Sequence, residues 1–275
     1  MLMECYGADN YLVLPLCKIL LFLRKVFLIN LKIPLIKITA FNGSPRGKKS
    51  NTHRMVGEFL AGDEKAGAEV ENIFLIKKKI KFCHGCFDCW TKTPGKCIFN
   101  DDMDELLKKF IESDVVVIAT PVYVDNVSGI MKNFMDRLIP LVDPHFEHDE
   151  SGETRHTKRF EKYPKIVIVS NCGFPEQSHF QVLELLVHRI ARNMHSEVIA
   201  EIYQSVGEIL SVKNIMLKPL INRYYKLLRK AGKEAVTEMK LSEETRAKLE
   251  KPIVPMEKYS QGANKRWDKL SEIKH

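Results

Sequence analysis

The chain has 275 residues, 45% of them hydrophobic, which is enough to bury the core of one α/β domain with additions. Its net charge of +8 is uneven, because residues 203–275 carry a balance of +7 whereas residues 35–202 carry −1. A nearly neutral central region argues against a nucleic-acid surface built into the main domain. Seven cysteines, an odd number without a signal-peptide pattern, predict a reducing compartment and a cytoplasmic protein.

Residues 1–34 contain one apolar stretch, Tyr11–Leu23, interrupted only by Lys18. Its thirteen residues fall short of the roughly 20 that span a bilayer. The positive charges of Arg24 and Lys25 follow the stretch, which is the reverse of a secretory signal. We therefore predict no membrane association, and we expect an extra helix or a poorly ordered leader before the main domain.

Residues 35–202 alternate between β-type runs and amphipathic helices, which predicts one α/β domain. The predicted strands are Leu35–Phe41, Val70–Leu75, Val115–Thr120, Ile166–Val169 and Glu197–Ile202. A continuous β-branched run such as Val115–Thr120 is typical of a strand buried on both faces of a parallel sheet. With right-handed crossovers, these strands predict a flavodoxin-like, doubly wound, five-stranded parallel sheet in the order 2-1-3-4-5.

The loop Asn42–Thr52 joins the first strand to a helix predicted over Asn51–Gly62. It places small residues, hydroxyls and a cation where a helix N-terminus exposes unpaired backbone N–H groups, and such a place binds phosphate. The loop matches neither the P-loop nor the dinucleotide fingerprint, so it suits a single phosphate monoester. The alternative is an ordinary strand-to-helix turn.

Four of the seven cysteines fall within fifteen residues, at positions Cys83, Cys86, Cys89 and Cys97. Three thiols at i, i+3 and i+6, with a fourth a short loop later, can surround a compact iron–sulfur cube. Two alternatives remain open, namely a zinc site and a segment without metal, whose thiols form a redox pair or a buried structural loop. The acidic run that follows predicts a helix start with a capping box from Asp102 to Glu105.

Two further loops follow the third and fourth predicted strands, at Thr120–Gly129 and Ser170–Ser178. In the predicted strand order, ligands bind beyond the carboxyl ends of these strands and of the first. Tyr123 can place its ring against a planar ligand, and Gly173 permits close approach of the backbone. Further on, Asp136–Arg137 is predicted as a structural ion pair or a subunit contact. His145, His148 and His156 are predicted to lie in a polar surface loop.

Residues 203–275 are predicted to form a basic helical extension. Pro219 can open its first helix, and Gly232 is expected to weaken that helix. An apolar stripe at Leu220–Leu228 is expected to pack on the core or on a second subunit. The alternative is that the basic tail docks a partner, which would make this chain an interaction protein.

Several motifs together resemble the NAD(P)H-dependent FMN reductase and iron–sulfur flavoprotein families. They are Asn42–Arg46 with Asn51–Thr52, the cysteine segment running into Lys96–Cys97 and Asp101–Met103, and Pro121–Tyr123 with Lys132, Phe134, Asp136 and Arg137. The similarity covers about residues 35–200, and it leaves residues 1–34 and 203–275 outside. The resemblance implies a flavodoxin-like fold, bound FMN and a homo-oligomer.

The resemblance also implies site residues. The FMN phosphate would be held by Ser44, Arg46, Ser50, Asn51 and Thr52. The flavin would be lined by Pro121, Val122, Tyr123 and Asn126, with Cys172 and Gly173 on the far side. The four clustered cysteines would bind a [4Fe–4S] cluster, although the last gap of seven residues is at the long end of what such loops use.

Two functions follow from the resemblance. In the first, an NAD(P)H oxidoreductase passes electrons through FMN to a quinone or another small acceptor, and hydride transfer requires no acid or base, so no catalytic residue is assigned. In the second, an electron carrier uses FMN and a [4Fe–4S] cluster to exchange electrons with ferredoxin-like partners.

Overall fold

The computed structural model describes residues 35–272, so the expectation for residues 1–34 lies outside the described part of the chain. The strands are β1 Lys37–Asn42, β2 Glu69–Phe74, β3 Val115–Pro121, β4 Val142–His148, β5 Thr154–Lys158, β6 Lys165–Asn171 and β7 Val198–Gln204. The helices are α1 Asn51–Lys65, α2 Asp88–Thr91, α3 Met103–Glu112, α4 Gly129–Asp136, α5 Gln181–Asn193, α6 Lys218–Thr237, α7 Glu243–Leu249 and α8 Met256–Glu272.

The predicted five-stranded parallel sheet is confirmed. Its order is β2-β1-β3-β6-β7, and every neighbouring pair is parallel. This is the expected order 2-1-3-4-5 when only the strands of the main sheet are counted. The pairing brings Asn42 opposite Ala119 and Pro121 opposite Asn171. The carboxyl ends of β1, β3 and β6 therefore lie side by side at one edge.

The central strand β3 is buried along its whole length because helices cover both faces of the sheet. Successive side chains of a strand point to opposite faces. Val115 and Val117 accordingly pack with side chains of α1 and α6, whereas Val116 and Ile118 pack with those of α3, α4 and α5. This double burial explains why the strand is apolar from Val115 to Ala119.

The apolar stripe of the C-terminal extension packs on the core of the same chain. Tyr224 and Leu228 of α6 are buried with Phe59 of α1. At Gly62, a Cβ atom would lie 2.0 Å from the Arg229 carbonyl oxygen, and at Gly232 it would lie 2.1 Å from the Phe59 carbonyl oxygen. Gly232 therefore does not weaken α6, which continues to Thr237, but allows the two helix backbones to touch.

A second sheet, absent from the sequence prediction, is the antiparallel hairpin of β4 and β5 between α4 and β6. His145 and His148 lie in β4 and His156 lies in β5, so the predicted polar loop is wrong. Trp90 holds the hairpin to the cysteine segment, because its indole N–H donates to the carbonyls of Ile139 and Val142 at 3.2 and 3.0 Å. The Trp90 ring also packs on His156 of β5, with ring centres 4.8 Å apart, and this contact helps to stabilise strands that are polar in sequence.

The predicted capping box at the start of α3 is also wrong. The Asp102 carboxylate accepts a hydrogen bond from the Lys79 backbone N–H at 2.7 Å instead of capping the helix. The neighbouring Asp101 carboxylate accepts from the Met103 N–H at 3.1 Å. The acidic run therefore binds the chain that precedes the cysteines as well as the helix that follows them. Across residues 35–272, no helix combines the length and the apolar character that crossing a bilayer requires.

Candidate functional site

Hydrogen bonds join the loops that follow β1, β3 and β6. Gly43 N–H donates to the Ala119 carbonyl at 2.8 Å, and the Ser128 hydroxyl donates to the Gly43 carbonyl at 2.6 Å. The Asn171 amide Nδ2 donates to the Thr52 hydroxyl at 2.8 Å. The three loops that the sequence singled out are therefore fixed at one edge of the sheet, where parallel α/β folds bind ligands.

The loop after β1 combines buried hydroxyls with an exposed cation. Ser44 is buried, and its N–H donates to Asn42 Oδ1 at 3.1 Å, whereas Arg46 is exposed. Ser50 caps α1, because its hydroxyl accepts from His53 N–H at 3.0 Å and donates to the Gly47 carbonyl at 2.7 Å. Ser50 thus caps the helix, and its hydroxyl proton is already used in a hydrogen bond. The unpaired backbone N–H groups of the first turn of α1 face the loop.

Several buried polar atoms at this edge have no hydrogen-bond partner among residues 35–272. They are Asn42 Nδ2, Asn51 Oδ1, Gln204 Oε1 and Ser205 Oγ. A buried polar group without a partner is unfavourable, so these atoms favour a polar ligand that completes their bonds. The donor and acceptor types fit an FMN molecule. Gln204 and Ser205 were not predicted from the sequence. Their position as polar residues directly after the apolar part of a predicted strand could have indicated them.

The loop after β3 turns on two residues with a left-handed backbone. Tyr123 and Asn126 exchange backbone hydrogen bonds of 2.9 and 3.2 Å, with Val124 and Asp125 between them at φ values of 48° and 54°. A β-branched residue such as Val124 is strained in this region. The turn leaves Tyr123 40% exposed. With Pro45, it lines a groove of about 520 Å³.

The other residues of this loop are held by the protein. Val122 N–H donates to the Asn171 carbonyl at 2.9 Å, and Pro121 is buried at the end of β3. Asn126 is exposed, but its Oδ1 already accepts from the Val127 N–H at 2.8 Å. The part of this loop that faces solvent is therefore Tyr123, Val124, Asp125 and the amide nitrogen of Asn126.

The loop after β6 presents its backbone to the site. Cys172 is buried and its thiol lies 3.4 Å from the Phe174 carbonyl, and burial raises the pKa of this thiol to about 11. The neighbouring Gly173 is exposed, and its carbonyl accepts the Tyr259 hydroxyl of α8 at 3.0 Å. Gly173 and Phe174 border a second groove, of about 610 Å³, whose other wall is α8. Tyr123 and Gly173 thus belong to different grooves at the same edge.

The four clustered cysteines line one pocket as free thiols. In residues 35–272, no group of three or more His, Cys, Asp or Glu side chains could hold a single metal ion. A cube of four irons takes one thiolate at each iron, so its ligands stand further apart than those of one ion. Burial, followed by the neighbouring thiol groups of Cys97 and Cys86, raises the pKa of Cys89. Four thiols around one pocket match a [4Fe–4S] cluster in the number and type of donors that it takes.

Arg137 also lines the cysteine pocket. An ion pair was predicted between Asp136 and Arg137, but each of them pairs with another residue. Arg137 pairs with Asp101 at 2.7 Å, and Asp136 pairs with Lys132 at 2.5 Å. Burial opposes the charge of Arg137, but the hydrogen bond to Asp101 and the nearby Cys97 raise its pKa. The Arg137–Asp101 pair is itself buried, with both side chains at most 3% exposed.

Residues 36–209 match the family model described as NADPH-dependent FMN reductase. The chain belongs to this family. The matched region contains the three loops and the cysteine segment, and α6, α7 and α8 lie outside it.

Curated relatives are iron-sulfur flavoproteins. One from Archaeoglobus fulgidus is 38% identical over 142 residues, which cover 52% of this chain and 58% of that protein. One from Methanocaldococcus jannaschii is 42% identical over 106 residues, or 38% of this chain and 53% of that protein. The chain thus spans little more than half the length of the curated relatives it matches.

Solved structures share the fold. An FMN-dependent NADH-azoreductase from Bacillus anthracis, solved in complex with FMN, superposes with a TM-score of 0.55 at 14% identity, over 74% of this chain and all of that one. A putative quinone reductase from Klebsiella pneumoniae superposes with a TM-score of 0.56 at 13% identity, over 74% and 85% of the two chains. At such identities the likeness establishes the flavodoxin-like architecture.

Proposed function

We propose that the chain is an FMN-dependent oxidoreductase that takes electrons from NAD(P)H and passes them to a quinone or another small acceptor. The observation that carries the proposal is the set of buried, unpaired polar atoms at the ends of β1 and β7 and the start of α1, on one edge of the sheet. Membership of the FMN reductase family supports the same cofactor. A homo-oligomer is part of the proposal.

Each loop has a role in holding FMN. The exposed guanidinium of Arg46 and the first turn of α1 would bind the phosphate, with Ser44, Ser50, Asn51 and Thr52 shaping the loop. Pro121, Val122, Tyr123 and Asn126 would line one side of the ring. The backbone at Cys172 and Gly173, which borders the neighbouring groove beside α8, would line the other side. Bound FMN supplies the redox chemistry, whereas the protein positions it and excludes competing reactions.

The phosphate role of Arg46 is tested by FMN binding to apoprotein in a calorimeter. We expect Arg46→Ala to weaken binding about tenfold or more, because a hydrogen bond to a charged group contributes about 1.5–3 kcal/mol. Lys65→Ala is the matched control, since it removes an exposed positive charge at the opposite end of α1. Equal FMN affinity of the two variants would contradict the assigned phosphate site.

The reaction is tested with purified protein, NADPH or NADH, and a naphthoquinone. We expect yellow protein that oxidises the nicotinamide only when the quinone is present, forming one hydroquinone for each nicotinamide oxidised. Colourless protein that takes up no FMN on reconstitution would overturn the proposal.

A second candidate function is an electron carrier that uses FMN and a [4Fe–4S] cluster with a ferredoxin-like partner. The observation that favours it is the shared pocket of Cys83, Cys86, Cys89 and Cys97. Anaerobic iron and sulfide analysis should find four of each per wild-type chain, and loss of both in Cys86→Ser. Cys172→Ser, outside the segment, should keep them. Wild-type protein purified anaerobically without iron would remove this candidate.

A further inference from the structure

Arg137 is one of the largest fully buried side chains in the described part of the chain, at 2% exposure. It follows α4 directly and points its guanidinium into polar surroundings. Nη1 donates to the Lys81 carbonyl at 2.7 Å and to Asp101 Oδ2 at 2.7 Å, and Nη2 donates to Asp101 Oδ1 at 3.1 Å. Three of its five N–H groups are therefore used by the protein.

These bonds hold both ends of the cysteine segment. Lys81 lies two residues before Cys83, and Asp101 lies four residues after Cys97. The guanidinium carbon also lies 5.1 Å from the centre of the Phe99 ring. One side chain thus fixes the entry and the exit of a segment whose middle part is exposed. This anchoring leaves the four thiols around the pocket that Arg137 helps to line.

Arg137 retains a donor that nothing in residues 35–272 accepts. Its Nε is buried without a hydrogen-bond partner. Arginine is always charged in proteins, so this N–H cannot be removed by loss of a proton. Because a buried donor without an acceptor is unfavourable, this N–H favours a ligand in the pocket that supplies an acceptor.

We propose that Arg137 positions the iron–sulfur cluster of the second candidate function and raises its reduction potential. The spare Nε–H donates to a thiolate or sulfide sulfur of the cluster. Reduction adds one negative charge to the pocket, and the spare N–H donor stabilises the reduced state, whereas the charge of Arg137 is balanced by Asp101. The inference rests on that candidate, because it requires the four cysteines to bind the cluster.

The decisive measurement is the midpoint potential of the cluster in full-length protein, followed by electron paramagnetic resonance in a dye titration. The main variant is Arg137→Met with Asp101→Asn, because removing Arg137 alone would leave a buried carboxylate without its cation. The asparagine keeps an oxygen for the Met103 N–H but loses the acceptor of the Lys81 N–H. Arg159→Met is the matched control, since Arg159 contacts the segment at Gly95 and does not line the pocket.

We expect the double variant to lower the one-electron reduction equilibrium constant at least tenfold, which is about 59 mV, with Arg159→Met unchanged. A cluster that assembles in the double variant with the wild-type potential would overturn the proposal. If the double variant binds no iron, Arg137→Lys decides, because lysine keeps the charge and lacks the Nε–H. Its potential should lie below that of the wild type, and an equal potential would overturn the proposal. Iron missing from the wild type would instead refute the candidate function itself.

Discussion

Asp63 is a buried carboxyl group that takes no part in the proposed chemistry. It lies in α1 next to Gly232 of α6 and is 0% exposed, and neither carboxyl oxygen has a hydrogen-bond partner within the described residues. Burial raises its pKa from 3.8 to about 9. The group is therefore neutral in the folded protein at pH 7 and ionised in the unfolded chain, which makes folding weaker as the pH rises.

The pH dependence of stability tests this assignment. Between about pH 4 and pH 9 the folded state keeps a proton that the unfolded state releases, so the free energy of unfolding falls by up to about 1.4 kcal/mol per pH unit. Asp63→Asn should remove this slope and stabilise the protein at pH 8 more than at pH 5, as measured by urea unfolding. The exposed Asp268→Asn should leave the slope unchanged. Parallel pH profiles for wild type and Asp63→Asn would contradict the raised pKa.

The contact between α1 and α6 shows what helix backbones require when they touch. Gly62 and Gly232 leave no room for a Cβ atom, because an added Cβ would lie 2.0 and 2.1 Å, respectively, from a backbone carbonyl oxygen of the other helix. At Gly57, in the same helix α1, an added Cβ atom would have no neighbour within 4 Å. Within α1, Gly62 is therefore required by the contact with α6, whereas Gly57 is not required by any contact.

Alanine substitutions separate these roles. Gly62→Ala should destabilise the protein by about 3 kcal/mol, at the upper end of overpacking effects, because the obstacle is backbone. Gly57→Ala should stabilise α1 by about 0.5–1 kcal/mol, since alanine is the better helix former. Chemical unfolding measures the free energy of unfolding of both variants. Equal values would contradict the prediction, because they would show that α1 and α6 can move apart to accept the added methyl group without loss of stability.

The elements that were predicted correctly are those whose own residues determine their structure. The run Val115–Thr120 predicted β3 because a strand buried on both faces is a nearly continuous run of apolar and β-branched residues. The hairpin of β4 and β5 was missed because its polar strands are stabilised by contacts with Trp90, about fifty residues earlier in the chain. The spacing of the cysteines indicated the pocket. The predicted partner of Arg137 was wrong, because only the tertiary structure brings its guanidinium to Asp101 instead of Asp136.

At the scale of the whole molecule, α6 and α7 complete the core on one face of the sheet. Leu228 of α6 and Leu249 of α7 are buried in the same cluster as Ile38 and Phe59. In contrast, α8 has no buried residue. The core thus extends beyond the region that matches the family model, because it includes α6 and α7.

Two truncations test this difference. A chain ending at Pro255, which lacks α8, should unfold cooperatively with nearly the full-length midpoint. A chain ending at Ser205 should lose cooperative unfolding or aggregate, because it exposes the apolar face of α1 that α6 covers. Thermal unfolding followed by circular dichroism distinguishes the two. Cooperative unfolding of the shorter chain at the full-length midpoint would show that the extension is dispensable.

Trp90 gives this protein a built-in optical reporter. It follows Cys89 directly in the chain, and two carbonyls hold its indole N–H in place. The chain has only one other tryptophan, Trp267. Replacing Trp267 with phenylalanine would leave a single emitter beside the cysteine pocket. Its fluorescence would then follow the filling and emptying of that pocket in real time, without any label.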